Sequence, residues 1–102
     1  EIVIVSYGVS TRTSLAAVDE ARKLGIKAGL FRLITVWPFP EEQIRQIAKR
    51  VKGFITVELN LGQIHYEVQR CAGYRVPSYL VGHPGGTIIS PDEVIKVLKE
   101  AF

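Results

Sequence analysis

Ile2-Val3-Ile4-Val5-Ser6-Tyr7-Gly8, near the start of the chain, and Phe54-Ile55-Thr56-Val57-Glu58-Leu59, near its middle, decide the fold. Ile2–Val5 and Phe54–Val57 are short, nearly continuous apolar runs rich in β-branched side chains. A strand with one wet face alternates apolar and polar residues. A strand buried on both faces does not, so these two read as inner strands of a parallel sheet covered on each side.

Outward from them, the apolar period switches repeatedly. Ser10–Leu24 sets Leu15, Val18, Ala21 and Leu24 along one side of a helix, with Ser10 as N-cap and Gly25 just past the end. Ile26–Ile34 is a second strand, closed by Trp37-Pro38-Phe39-Pro40. Pro40 suits a first helical position, and Glu41 and Glu42 suit the positive end of the helix dipole. Ile44, Ile47, Ala48 and Val51 supply that helix's stripe. A third helix over Gly62–Ala72 turns Ile64, Val68 and Cys71 to one face, and Val76–Val81 is the fourth strand. Ser90-Pro91-Asp92-Glu93 has the form of a capping box and opens a last helix striped by Val94, Val97, Leu98 and Ala101.

The pattern β-α-β-α-β-α-β-α predicts a three-layer α/β/α fold, a doubly wound, mainly parallel four-stranded sheet, because right-handed crossovers put helices on both faces. Pro77 cannot donate to a ladder, which moves the fourth strand to an edge. Order 2-1-3-4 satisfies that constraint.

A length of 102 residues fits one domain. The size scaling allows a folded surface of roughly 5,800 Å², about 65% of the unfolded surface being buried. That is one core. Hydrophobic residues at 47% and charged residues at 23% exclude a disordered or collagen-like chain. No apolar run approaches the roughly 20 residues of a membrane helix, so a membrane role is not expected. Cys71 is the one cysteine and has only His65 and His83 beside it, too few for a zinc site or an internal disulfide. A cytoplasmic setting follows as an expectation. The net charge of +3 is spread along the sequence, whereas a nucleic-acid protein gathers it on one face. Methionine is absent and Glu1 leads straight into a strand, so residues 1–102 read as one domain of a longer subunit.

In a doubly wound sheet, ligands collect beyond the carboxyl ends of the strands where the strand order reverses. Here that crevice is lined by Tyr7-Gly8-Val9-Ser10-Thr11 and Glu58-Leu59-Asn60-Leu61-Gly62-Gln63, flanked by residues 35–40 and 82–90. The first segment lacks the spaced glycines of a dinucleotide fingerprint and the lysine of a P-loop. Arg12 stands where a nucleophile elbow needs glycine. Ser10 and Thr11 are accounted for as capping hydroxyls, and His83-Pro84-Gly85-Gly86-Thr87 as a connecting loop. Glu58 is the best-placed acid or base, against an ion pair or a hydrogen bond to the next helix. His65 lies beside an apolar stripe, where packing outweighs catalysis, and Cys71 fits as a small core side chain. Trp37, Pro38 and Phe39 form a Pro-rich aromatic loop that serves either a partner or local packing; exposure of some of it is expected if a neighbour docks there. No catalytic, cofactor-binding or metal-binding constellation emerges. The remaining candidates are interface or switch-point residues: Tyr7, Ser10, Thr11, Trp37, Pro38, Phe39, Glu58, Asn60, Gly62 and Gln63.

Taken together, Val3–Gly8, Gly29–Pro40 and the block Val57-Glu58-Leu59-Asn60-Leu61-Gly62-Gln63 resemble the C-terminal domain of the transketolase superfamily. The form they resemble is that of the α subunit of 2-oxoacid:ferredoxin (2-oxoacid:acceptor) oxidoreductases. Gly85-Gly86 and Ser90–Ile95 match more loosely. The Asn-Leu-Gly-Gln version is more similar to the 2-oxoglutarate type than to the pyruvate type. The resemblance implies an enzyme that decarboxylates a 2-oxoacid on thiamine diphosphate and Mg²⁺, passes electrons through iron–sulfur clusters to ferredoxin, and yields an acyl-CoA. It also implies that those cofactors lie on other domains or subunits. This domain would be architectural, packed on the pyrimidine-binding domain and on other subunits. The family often adds a leading antiparallel strand, so either that fifth strand is missing here or the sheet has four. The competing expectation is a free-standing flavodoxin-like module holding a nucleotide or phosphate through Ser10, Thr11, Asn60 and Gln63. A small hydrolase built on Glu58 and His65 is the weakest alternative, since it needs both groups within one water of each other.

Overall fold

The computed structural model describes residues 1–8, 10–33, 39–58, 63–73, 75–82 and 89–102. The element order is β1 (Ile2–Tyr7), α1 (Ser10–Lys23), β2 (Ala28–Leu33), α2 (Glu41–Ala48), β3 (Gly53–Glu58), α3 (Gln63–Ala72), β4 (Ser78–Gly82) and α4 (Pro91–Ala101). The strands form one four-stranded sheet in the order β2-β1-β3-β4. Every neighbouring pair is parallel: Ile4 sits opposite Leu30 on one side and Ile55 on the other, and Val57 opposite Val81. The predicted fold class and strand order both hold.

Alternation along the inner strands builds two cores. Ile2 and Ile4, with Ile55 and Val57, face α1 and α4 and pack on Ala17, Val18, Val94 and Leu98. Val3 and Val5, with Phe54, face α2 and α3 and pack on Ile44, Val68 and Cys71. Burial of β1 and β3 on both faces explains why their sequences run apolar without alternation. The folded surface, 6013 Å², is close to the roughly 5,800 Å² that chain mass alone requires.

Several local expectations are corrected. The inward stripe of α1 is Ser10, Ser14, Ala17, Val18 and Ala21, whereas Leu15 and Leu24 are 50% and 49% exposed. Small residues bring that helix close to the sheet, so side-chain size misleads where period alone would not. Pro40 is the N-cap of α2 rather than its first residue, with φ −78° and ψ 66°. Ser90 is the N-cap of α4, but its side chain makes no cap hydrogen bond; the Glu93 amide reaches the Ser90 carbonyl at 3.2 Å instead. β4 begins at Ser78, after Pro77, whose carbonyl accepts the Phe54 amide at 3.0 Å. It is an edge strand, as the proline demanded, and leaves Tyr79 and Leu80 exposed. Among the described residues no helix is long and apolar enough to cross a membrane.

Candidate functional site

The carboxyl ends of β1 and β3 lie side by side, with α1 and α3 starting just beyond them. Gly8 makes the exit from β1 with φ +65°, a left-handed turn that suits glycine. The Thr11 amide closes the turn on the Gly8 carbonyl at 3.0 Å. Ser10 is the first helical residue and is buried. Its hydroxyl donates and does not cap: Oγ lies 2.8 Å from the Tyr7 carbonyl and 2.9 Å from that of Val57. The Ser6 hydroxyl reaches Thr11 Oγ1 at 3.4 Å. The capping role expected of Ser10 is thus replaced by ties to two strand ends.

Glu58, the last residue of β3, is 3% exposed. Its carboxylate accepts the amides of Ile64 at 3.3 Å and His65 at 2.9 Å. These belong to the first turn of α3, whose opening amides have no partner inside the helix. A carboxylate there also opposes the positive end of the helix dipole. Burial pushes the Glu58 carboxyl above its ordinary value, while the two amide bonds pull the other way. Of the readings offered for Glu58, the hydrogen bond to the next helix is the one that holds.

His65 is buried on α3, its ring 5.4 Å from that of Tyr66 and tilted against it. Its Nδ1 has no hydrogen-bond partner among the described residues, and burial holds its pKa below the usual imidazole range. The bond from His65 to Glu58 comes from its backbone, so the pair is not joined as base and orienting acid. Cys71 is buried with its thiol pushed up by desolvation, the state of an inert core cysteine.

The other candidates fall as follows. Tyr7 is exposed at the crevice, Thr11 is half-buried and Gln63 is exposed. Phe39 is only 7% exposed and belongs to the core beneath α2 and α3, so any exposed part of the aromatic loop would fall to Trp37 and Pro38. Trp37, Pro38, Asn60 and Gly62, like the loop from His83 to Thr87, lie outside the described residues. Tyr66, not among the candidates named from the sequence, is 64% exposed in the first turn of α3. Its place beside the stripe of Ile64 and Val68 was the available signal.

An iron–sulfur cluster is held by several thiolates, and the chain has one cysteine. Among the described residues no group of three His, Cys, Asp or Glu side chains could hold a metal ion. These residues do not fit a cluster or an all-protein metal site.

Residues 1–94 match the family described as pyruvate:ferredoxin oxidoreductase core domain II. The chain is 42% identical over 95 residues to the 2-oxoglutarate synthase subunit KorA of Methanothermobacter marburgensis, covering 93% of the chain and 25% of that relative. It is likewise 42% identical over 100 residues to the ketoisovalerate oxidoreductase subunit VorB of the same organism, covering 98% of the chain and 28% of the relative. The chain thus spans about a quarter of the length of these relatives. Two solved structures share the fold. A 2-oxoglutarate:ferredoxin oxidoreductase from Magnetococcus marinus superposes with a TM-score of 0.83 at 19% identity, over 98% of this chain and 17% of that one. A split-gene transketolase, an inactive β4 tetramer, superposes with a TM-score of 0.81 at 18% identity, over 99% of this chain and 38% of that one.

Proposed function

Because the chain belongs to the pyruvate:ferredoxin oxidoreductase core domain II family, we propose that it is one domain of a longer α-type subunit and serves assembly rather than chemistry. The parent enzyme would oxidatively decarboxylate a 2-oxoacid to an acyl-CoA and pass the electrons to ferredoxin. Thiamine diphosphate, Mg²⁺ and iron–sulfur clusters would be held elsewhere in it. The partners of this domain would be the pyrimidine-binding domain of its own subunit and other oxidoreductase subunits, in the cytoplasm.

One observation carries the non-catalytic part of this reading. The two buried polar side chains described at the end of β3 and the start of α1 are engaged within the protein: both Glu58 oxygens on α3 amides, and the Ser10 hydroxyl on strand-end carbonyls. A general acid or base needs an atom free to reach substrate. The substrate follows less closely from kinship, since KorA and VorB match at the same 42%. The Asn60-Leu61-Gly62-Gln63 block is more similar to the 2-oxoglutarate type than to the pyruvate type.

The test is to express this chain in trans with an oxidoreductase whose α subunit lacks the domain. Co-elution and restored 2-oxoacid-dependent reduction of ferredoxin support the proposal. Turnover of a 2-oxoacid by the chain alone, or tight retention of a prosthetic group by it, overturns the proposal.

A further inference from the structure

α2 is the shortest of the four helices, with 8 residues against 14, 10 and 11 for α1, α3 and α4. Two turns of helix have little stability of their own. Its N-cap, Pro40, offers no side-chain hydrogen bond. Ile44 and Ala48 are its two buried residues, whereas α1 and α3 bury five each and α4 three. The other helices lie close on strands, while the main backbone approach of α2 is to α3. Side-chain size accounts for the difference: Ser14, Ala17 and Ala21 let α1 down onto the sheet, and Ile44 and Ile47 hold α2 off it.

Charge closes the seam between α2 and α3 on its outer side. The Arg70 guanidinium of α3 reaches Glu41, the first residue of α2, at 2.6 Å and Glu67 of its own helix at 2.8 Å. Arg45 holds Glu41 at 3.6 Å and Glu42 at 3.1 Å, both within α2. Among the described residues, the pair that crosses the seam is Arg70–Glu41. Arg70 holds the Glu41 carboxyl below its ordinary value by hydrogen bond and by charge. Beneath lies Cys71, buried in the same core as Ile44 and Ala48. Its thiol feels the charges of Arg70, Glu41, Glu67 and Arg45.

We propose that α2 is a hinged cover that lifts from α3 as a unit while the sheet and the other helices stay folded. The Arg70–Glu41 pair is its catch, and Cys71 is the group it uncovers. Regions with few buried contacts open well below the cost of global unfolding, and α2 buries the fewest residues of any helix. An exposed ion pair contributes little in absolute terms. Against a helix held by two buried side chains, it is a substantial share. α3 stays behind, since Glu58 fastens its first turn to β3. In the chain α2 follows directly on Phe39 and Pro40, so lifting also draws Phe39 from the core. This motion lies inside the chain and does not depend on the assembly role above.

Cys71 is the one thiol and serves as the probe. Its labelling by an aromatic disulfide is followed in native buffer beside amide hydrogen exchange. Cys71 should react faster than the global unfolding measured in urea permits, and α2 amides should exchange faster than those of α1 and α3. Arg70→Gln is expected to speed both labelling and α2 exchange about two- to fivefold, with α1 unchanged. Loss of Arg70 by itself makes the thiol less acidic, which slows labelling, so acceleration reports opening. Arg70→Gln combined with Glu41→Gln should give less than the product of the two single effects, as partners in one pair do. Salt at about 1 M should speed opening of the parent chain more than of Arg70→Gln. Circular dichroism verifies that the variants fold; should one not, the salt response of the parent chain decides. Labelling that tracks global unfolding, α2 exchange as slow as that of α1, or an Arg70→Gln chain that behaves as the parent overturns the proposal.

Discussion

Glu58 Oε2 lies 2.9 Å from the backbone nitrogen of His65, so the end of an inner strand closes the first turn of the helix that follows it. The cap comes from a residue several positions upstream instead of from the residue that enters the helix. Removing it leaves two amides buried without acceptors. Glu58→Ala is expected to lower stability by about 2 kcal/mol in urea unfolding. Glu58→Gln keeps one carbonyl acceptor and should lose less. Equal stability of Glu58→Ala and the parent chain would refute the cap.

Acid sensitivity follows from His65. Burial holds its folded pKa below the unfolded value near 6.5, so the unfolded chain binds more protons between the two values. The neutral ring's contribution is complete above 6.5 and declines as pH falls through the folded pKa. Glu58 has the opposite sign, because its folded pKa is raised above 4.5: its contribution is complete below 4.5 and declines as pH rises through the folded value. His65→Phe should flatten the midpoint-against-pH curve just below 6.5. Glu58→Gln should flatten it just above 4.5.

Gly53 opens β3 where a Cβ would stand 2.5 Å from ring carbons of Phe102 and 2.8 Å from the Pro77 carbonyl oxygen. The ring can move; the carbonyl belongs to the backbone that accepts the Phe54 amide. Gly53→Ala should therefore destabilise by about 1–3 kcal/mol, and adding Phe102→Ala should fail to restore the loss. Full recovery in the double variant would show that the ring alone sets the limit.

The register of α1 can be checked by exchanging size between neighbours. Ser14 is fully buried and Leu15 half exposed. Ser14→Leu should cost about 1–3 kcal/mol by overpacking, and Leu15→Ser should stay within about 0.5 kcal/mol. The reverse ranking would restore the stripe that the sequence suggested.

Much of the fold was legible because its signals are local. Ile2–Val5 and Phe54–Val57 announce burial on both faces, and Pro77 announces an edge. The α1 stripe was misread because Ser14, Ala17 and Ala21 buy proximity to the sheet, while Leu15 advertises a burial it does not have. For Glu58, position at a strand end and a preference for helix amides were both readable. The interior place of Phe39 was not, since a Pro-rich segment says little about which way its aromatic turns.

Ser10 has one hydroxyl hydrogen facing two carbonyl oxygens, those of Tyr7 and Val57. That one hydrogen serves both acceptors, given to either or shared between them. The consequence is a stitch: just past the last paired residues, Ser6 and Val57, one side chain of the following helix holds the ends of two neighbouring strands in a common grip.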